Sequence, residues 1–404
     1  MSAIHIALLG LGTVGKGVLE TIETHQGKLQ SLLGKPVKVS AILVKNLDKH
    51  VLKDKSILLT DQFEEIIQLD QLDVVIDVIV GKEPGFTYGK RSVERGCHFI
   101  TANKEMFAYH GKELLELAEK HGVSIGFEAT VGGGIPVIQT LRKLLNVNNI
   151  TKVEGIINGT SNFILTNMRE EQLPFEKVLK EAQEKGYAEA DPTNDIEGYD
   201  AYFKGLVLSN VVFGELPNQE HVVRKGITHI TKEQILAATT LGLKYKHVAR
   251  LEKQGNEIKL FVEPVLVTET HPFYSVEGVQ NAVSIDADIV GNITLMGPGA
   301  GKLPTASAVV EDLLHLFQQK APSVYNQEPF KQEESESEHW LILNQEVNLT
   351  ALQPLVQQAE LLGDQSFYIK GNRKEINTVQ LQFPDLTLFP IAGEFQPSKE
   401  HELV

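Results

Sequence analysis

Near the N-terminus the apolar run Ile4–Leu9 passes directly into Gly10-Leu11-Gly12-Thr13-Val14-Gly15. Helical apolar spacing then extends over Val14–Leu33. A strand that turns on three glycines and opens a helix is the setting a dinucleotide-binding turn requires. The first glycine makes the tight turn, and the second lets backbone approach a pyrophosphate. The third lets helix and strand pack closely, while the helix N-terminus attracts the phosphates. The alternative is a glycine-rich turn with no ligand. In this setting the motif points to a nucleotide site in the first third of the chain.

The rest of that third agrees. Val37–Val44, Val74–Val80, His98–Thr101 and Val123–Phe127 read as buried strands, with a helical pattern at Gly111–His121. Strand–helix alternation predicts right-handed crossovers and a parallel sheet covered on both faces. The chain has 404 residues, too many for one ordinary core. From about residue 135 to 303 the pattern changes. A strand at Ile150–Ile157 precedes helices at Ser161–Met168, Glu176–Lys185 and Ile196–Phe213. Strands at Val248–Leu251, Ile258–Val267 and Ile293–Met296 follow. Elements in separate blocks predict an α+β domain, an open sheet with helices on one side.

Residues 304–318 have helical spacing. The Gln-, Glu-, Ser- and Pro-rich stretch 319–338 reads as a solvated linker. The final segment predicts a strand at Trp340–Leu343, a helix at Leu352–Leu362, and strands at Phe367–Lys370, Val379–Phe383 and Leu386–Ile391. The domain expectation is therefore residues 1–134, completed by the helix 304–318; then 135–303; the linker 319–338; and a small domain, 339–404.

The net charge of −15 argues against nucleic acid and anionic membranes as partners, because both require cationic surface. No apolar run approaches the roughly 20 residues needed to span a bilayer, and no signal-peptide pattern precedes the first strand. The single cysteine, Cys97, excludes an internal disulfide and any multi-cysteine metal cluster, which suits a reducing compartment. It reads as a small buried hydrophobe rather than a nucleophile. These features predict a cytoplasmic protein.

At the end of the second strand, NAD-binding sheets usually carry an acid that accepts from the ribose 2′-hydroxyl. This chain has Val44-Lys45-Asn46 there. A 2′-phosphate would be tolerated or preferred, unless Lys45 is an ordinary surface lysine.

Candidate chemistry concentrates in Ala182–Lys204. Asp200 and Lys204 are four residues apart and so project from one face of a helix. Glu189 lies in the preceding loop, and Asp195 reads as the start of that helix. Carboxylates beside a lysine can hold an ammonium group and deliver a proton. The competing reading is a surface i,i+4 salt bridge worth only ~0.3–0.5 kcal/mol, and spacing alone favours it.

The segment Ala182, Gly186-Tyr187, Asp191-Pro192, Asp195, Gly198, Asp200 and Lys204 resembles the signature of homoserine dehydrogenases. Other marks of that family occur in order: Gly10–Gly15, Thr101–Lys104, Glu128–Pro136, Asn158–Asn162, His271-Pro272, and Gly297–Gly301 with Pro304–Ser307. The resemblance covers residues 3–317. It implies a Rossmann-type α/β nucleotide-binding domain, an α+β substrate and dimerisation domain, and a C-terminal ACT-like α+β domain. It implies reversible NAD(P)-dependent reduction of L-aspartate 4-semialdehyde to L-homoserine by a homodimer or homotetramer. Lys204 is then the general acid and base, and Lys104 shares the proton work beside the nicotinamide. Glu189 and Asp200 bind the amino-acid part of the substrate. Gly10, Leu11, Gly12, Thr13, Val14, Gly15, Lys45, Lys104, Gly186 and Gly301 contact the cofactor, NADP with NAD not excluded. The Glu128 side chain and the carbonyls of Val131, Gly133 and Ile135 resemble the family's site for Na⁺ or K⁺. The same glycine run also reads as a plain hinge between domains.

Two departures stand out. Val80-Gly81 replaces the Glu and Gly-Gly pair usual after the fourth strand. The last segment reads βαβββ, without the second helix of an ACT domain, so threonine feedback is not carried over. The alternative, from another class, is a nucleotide-sensing protein of the same fold without turnover. It predicts loss of at least one of Lys104, Glu189, Asp200 and Lys204, yet all four are present.

Overall fold

The structure is a computed structural model that describes residues 3–255, 257–318, 337–343, 345–363 and 365–397. The predicted linker lies outside the described residues except for Ser337 and Glu338.

The N-terminal third forms a parallel sheet from β1 (Ile4–Leu9), β2 (Val37–Leu43), β3 (Leu58–Thr60), β4 (Val74–Asp77), β5 (His98–Thr101) and β6 (Ile125–Gly126). Its order is β3-β2-β1-β4-β5-β6, the doubly wound arrangement whose direction reverses beside β1. Ile6, Leu8 and Ile76 are buried on one face and Ala7, Leu9 and Val75 on the other, as parallel strands covered on both faces must be. Cys97 is buried too, and burial pushes its thiol up, so it behaves as the expected small hydrophobe.

Three expectations need correction here. Val74–Val80 stops as a strand at Asp77, because the Asp77 carboxylate accepts from Ile79 N at 3.0 Å and turns the chain. The helix Val14–Leu33 is two helices, Thr13–Thr24 and Gln26–Leu33, broken where His25 leaves helical dihedrals. A helix at Gly85–Glu94 and strand β3 were not expected.

The helix Lys302–Gln318 returns to this sheet. Ala306, Val309, Val310 and Leu313 join Ile6, Leu8, Val18 and Ile22 in one buried cluster. The contact with helix Thr13–Thr24 is close: a Cβ on Gly17 would strike the Lys302 carbonyl.

A second, ten-stranded sheet contains β7 (Ile150–Ile156), β8 (Val222–Arg224), β9 (Lys244–Gln254), β10 (Glu257–Val267), β11 (Gln280–Ala287), β12 (Gly291–Pro298), β13 (Glu338–Ile342), β14 (Gln358–Gly363), β15 (Ser366–Gly371) and β16 (Leu388–Ala392). Its main path is β12-β11-β7-β9-β10-β16-β13-β15-β14, with β8 pairing β10. The helix Tyr199–Phe213 packs on it so closely that a Cβ on Gly205 would lie 2.7 Å from Leu260 Cδ1.

The C-terminal segment corrects the βαβββ reading. Its order is βαββαβ: β13, helix Leu349–Leu352, β14, β15, helix Arg373–Gln382, β16. Residues 358–362, expected as helix, are strand, and 379–382, expected as strand, are helix. Asn372 and Glu375 form a reciprocal capping box that starts the second helix, which buries Ile376 and Val379 three apart. Only that helical spacing buries both and leaves Leu381 outside. The segment does not stand apart: β16 pairs parallel to β10, Leu266 opposite Ile391. Arg250 and Arg373 also flank the Phe261 ring at 4.8 and 4.5 Å.

Candidate active site

The glycine turn lies where the first sheet reverses. Val78 N donates to the Leu9 carbonyl at 3.0 Å, which brings the ends of β1 and β4 together. Gly10 has φ +104, and a Cβ there would sit 3.2 Å from the Val78 carbonyl oxygen. A Cβ on Gly15 would strike the Gly10 carbonyl, whereas one on Gly12 would meet nothing within 4 Å. Gly12 is also the N-cap of helix Thr13–Thr24 and has no side chain to satisfy the first N–H groups. A cradle open at Gly12 and closed at Gly15 fits a pyrophosphate. Leu11 is buried beneath the turn, Thr13 is exposed, and Val14 packs against the helix cluster. Lys45 is exposed just past β2.

The carboxyl end of β5 leads into Thr101–Lys104. Asn103 caps helix Lys104–His121 by accepting from Met106 N at 3.1 Å, and it donates to the Gly81 carbonyl at 2.7 Å. Lys104 therefore begins that helix, beside the loop that leaves β4. The helix packs against Tyr199–Phe213, with Tyr109 edge-on to Phe203 at 6.0 Å. This pairing is one point at which the layers of the two sheets meet, within a buried cluster that spans both.

At that point Lys104 Nζ lies 2.6 Å from Asp200 Oδ1, and Lys204 Nζ lies 2.7 Å from Asp200 Oδ2. Lys204 also donates to the Ile157 carbonyl at 2.6 Å. Asp200 and Lys204 are buried, whereas the Lys104 side chain is 41% exposed. Burial alone would raise the Asp200 carboxyl, but Lys104 and Lys204 hold it well below the usual carboxylate range. Burial pushes the Lys204 ammonium down, a fall that Asp200 opposes and Lys104 reinforces. Lys104 moves up, held cationic by Asp200 against its own desolvation. One lysine is thus placed to release a proton and the other to stay charged.

The predicted helix Ile196–Phe213 is interrupted. Thr193–Ile196 forms a short turn, and Gly198, at φ +79, starts Tyr199–Phe213. The left-handed glycine re-aims the chain, so Asp195 and Asp200 both face Asn158, whose Nδ2 donates to them at 2.7 and 3.0 Å. Asn158 carries no role in the sequence reading. The signal for it was an Asn followed by Gly-Thr-Ser after an apolar strand, a helix-cap pattern.

Not every predicted site residue joins this cluster. Glu189 is exposed, and its side chain makes no hydrogen bond or ion pair among the described residues. Its carbonyl accepts from Gln183 Nε2 at 3.1 Å. Gly186, at φ +76, ends the helix Phe175–Glu184 in open space, while Gly301, at φ +123, precedes Lys302–Gln318.

Glu128 is buried, and its two oxygens accept from Ile138 N and Gln139 N at 2.9 and 2.8 Å, capping helix Val137–Leu144. Burial pushes its carboxyl up to about 7. The Ile135 carbonyl accepts from Val137 N at 2.8 Å, while those of Val131 and Gly133 accept no hydrogen bond among the described residues. A buried acid beside two free carbonyls is compatible with a hard monovalent cation. The segment is also a hinge contact, because a Cβ on Gly133 would strike the Gly299 carbonyl.

A doubly wound sheet with an open glycine cradle, together with a lysine–aspartate–lysine cluster whose Asp200 and Lys204 are buried, defines a nicotinamide-dependent oxidoreductase. The family model described as "Homoserine dehydrogenase, NAD binding domain" matches residues 10–128, and that described as "Homoserine dehydrogenase" matches 136–314. The chain belongs to the homoserine dehydrogenase family. A homoserine dehydrogenase from Bacillus subtilis (strain 168) is 44% identical over 316 residues, 78% of this chain and 73% of that protein. The crystal structure of a homoserine dehydrogenase from Thiobacillus denitrificans is similar with a TM-score of 0.86 at 32% identity, over 97% of this chain and 99% of that one. A hyperthermophilic archaeal homoserine dehydrogenase in complex with NADPH has a TM-score of 0.67 at 28% identity, over 78% and 98%. The reading as a sensor without turnover gives way to an oxidoreductase.

Among the described residues no helix is long and apolar enough to cross a membrane.

Proposed function

We propose that this enzyme interconverts L-aspartate 4-semialdehyde and L-homoserine with Lys204 as the proton-transferring group. The observation that carries the reading is the ion cluster in which Lys104, from the solvent side, and buried Lys204 share Asp200. Bound nicotinamide supplies or accepts the hydride. Lys204 gives its Nζ proton to the carbonyl oxygen during reduction and takes it back during oxidation. Desolvation lowers the cost of losing that proton. Lys104 stays charged and orients the polar substrate, and Asp200 and Glu189 receive its α-ammonium group.

The cofactor assignment is NADPH, with NADH use not excluded. It draws on Val44-Lys45-Asn46, without an acid, at the end of β2, on exposed Lys45, and on the NADPH bound by the archaeal relative. Gly10 to Gly15 would cradle the pyrophosphate, with Gly186 and Gly301 approaching the dinucleotide. Glu128 with the carbonyls of Val131, Gly133 and Ile135 would hold Na⁺ or K⁺, fixing the hinge between the domains. The βαββαβ order of the last segment supports an ACT-like module. A homodimer or homotetramer in the cytoplasm, divided near residues 134, 303 and 338, completes the proposal.

Absorbance at 340 nm with NADPH and aspartate semialdehyde tests it directly. Consumption by wild type that falls steeply in Lys204→Ala supports the reading, and dinucleotide binding without turnover refutes it.

A further inference from the structure

Ile157 and Asn158 continue β7 into the active site, and each contributes one polar group there. The Ile157 carbonyl receives Lys204 Nζ at 2.6 Å. Asn158 is almost fully buried, and its Nδ2 donates to Asp195 Oδ1 at 2.7 Å and to Asp200 Oδ2 at 3.0 Å. Its Oδ1 accepts from Ser161 N at 2.8 Å and so caps helix Gly159–Glu170. One carboxamide therefore fastens a helix end, the Asp195 carboxylate and the carboxylate that both lysines share.

We propose that Asn158 is a positioning residue for the reaction: it fixes the orientation of Asp200 between Lys104 and Lys204 and keeps Asp195 beside it. The inference rests on the proposed roles of Lys204 and Asp200. A carboxamide supplies two donors and an acceptor from one rigid plane. Aspartate keeps the acceptor but donates nothing, and serine keeps the acceptor with a single donor at shorter reach.

Two carboxylates on one nitrogen repel each other as their charges approach. Burial raises the Asp195 carboxyl and the Asp200 charge adds to the rise, while the Asn158 hydrogen bond opposes both. The other charged or titratable groups facing the pair are Lys104, itself near Glu105, on one helix, Lys204 on another, and His247 on β9. Burial pushes His247 down to about 4, so it is neutral at working pH. Without the Asn158 donors, Asp195 should hold its proton to higher pH. Asp200 should then lose the orientation that divides its two oxygens between two lysines.

The test uses the full-length enzyme as wild type, Asn158→Asp, Asn158→Ser and Lys204→Ala. Melting temperature and the pH profile of kcat/KM are read for each. Aspartate and serine both cap helices well, so the helix end is kept in both. Asn158→Ser should stay nearer the wild-type Tm, while Asn158→Asp, which adds a third carboxylate beside Asp195 and Asp200, should lower it. Asn158→Asp should lower kcat at least about tenfold and move the acidic limb of kcat/KM up by about one pH unit. Asn158→Ser should fall between it and wild type. An acidic limb that stays in place in a folded Asn158 variant overturns the inference and leaves Asn158 as a helix cap. If Asn158→Asp does not fold, the limb of Asn158→Ser decides. Near-normal turnover in Lys204→Ala overturns the proton assignment itself, whichever way the Asn158 variants behave.

Discussion

Asp200 and Lys204, one helical turn apart, form a 2.7 Å ion pair from which water is almost fully excluded, with side chains 6% and 11% exposed. On a solvated helix such a pair would contribute a few tenths of a kcal/mol. Here removing Asp200 leaves the buried Lys204 ammonium without its counter-ion, at a cost on the order of 3–5 kcal/mol. The third member, Lys104, reaches the same carboxylate from another helix and from the solvent side. The pair is therefore a site component rather than helix decoration.

Lys204→Ala should lower kcat by about 10²–10⁴-fold, the range for loss of a general acid or base. Dinucleotide affinity, read by fluorescence titration, should be retained. A folded variant with near-normal turnover would move the proton role, most simply to Lys104.

Asp200→Ala and Glu189→Ala should separate two kinds of contribution. Each should raise the homoserine KM by roughly ten- to a hundredfold, as expected for one charged hydrogen bond of ~1.5–3 kcal/mol. Only Asp200→Ala should also lower Tm, because Glu189 is exposed and unpaired among the described residues. Unchanged KM in both variants would remove the two carboxylates from substrate binding.

Gly12 and Gly15 should respond differently to alanine. A methyl on Gly12 meets no protein atom, but one on Gly15 collides with the Gly10 carbonyl. Gly12→Ala should keep Tm and lose dinucleotide affinity, whereas Gly15→Ala should lose both. Wild-type affinity in Gly12→Ala would remove the pyrophosphate from that turn.

Lys45→Glu should shift preference from NADPH towards NADH, because an acid there accepts from a ribose hydroxyl and repels a 2′-phosphate. Lysine contacts phosphate as a flexible point charge, so the effect should shrink as salt rises. The ratio of kcat/KM for the two cofactors at low salt decides. A wild type that uses NADH alone, or a ratio that the mutation does not move, contradicts the assignment.

Asp77 gives a pH prediction. Burial raises its carboxyl from 3.8 to about 6, against hydrogen bonds from Ile79, Thr101 and Asn103. A raised folded value means the native state binds the proton more tightly than the unfolded chain. The stability contribution is thus full below pH 4 and lost as pH rises through 6. Asp77→Asn cannot titrate, so the wild-type advantage over it in urea unfolding should shrink between pH 4 and 7, by roughly 2–3 kcal/mol. Parallel stability curves would place Asp77 outside this behaviour.

Much of the molecule was legible in local pattern. The alternation of apolar runs with helical patterns predicted the parallel sheet, and the glycine turn between the first strand and helix marked its nucleotide site. Strands buried on both faces were plain from unbroken apolar runs such as Val74–Ile76. Local signals failed in the last segment, where short apolar runs do not distinguish helix from strand. There the Asn372–Glu375 cap and the partner face of the sheet decided.

The sequence by itself determined the two kinds of sheet, the nucleotide turn, the family resemblance, and Asp200 and Lys204 on one helix face, because these depend on periodicity and residue chemistry over a few turns. Tertiary structure alone decided that Lys104, a hundred residues from Lys204, shares its carboxylate. It also decided that Asn158 bridges Asp195 and Asp200, that Glu189 stays in solvent, and that β16 extends the central sheet. Burial and proton affinity arise from which distant surfaces close over a group. Spacing along the chain does not contain that information.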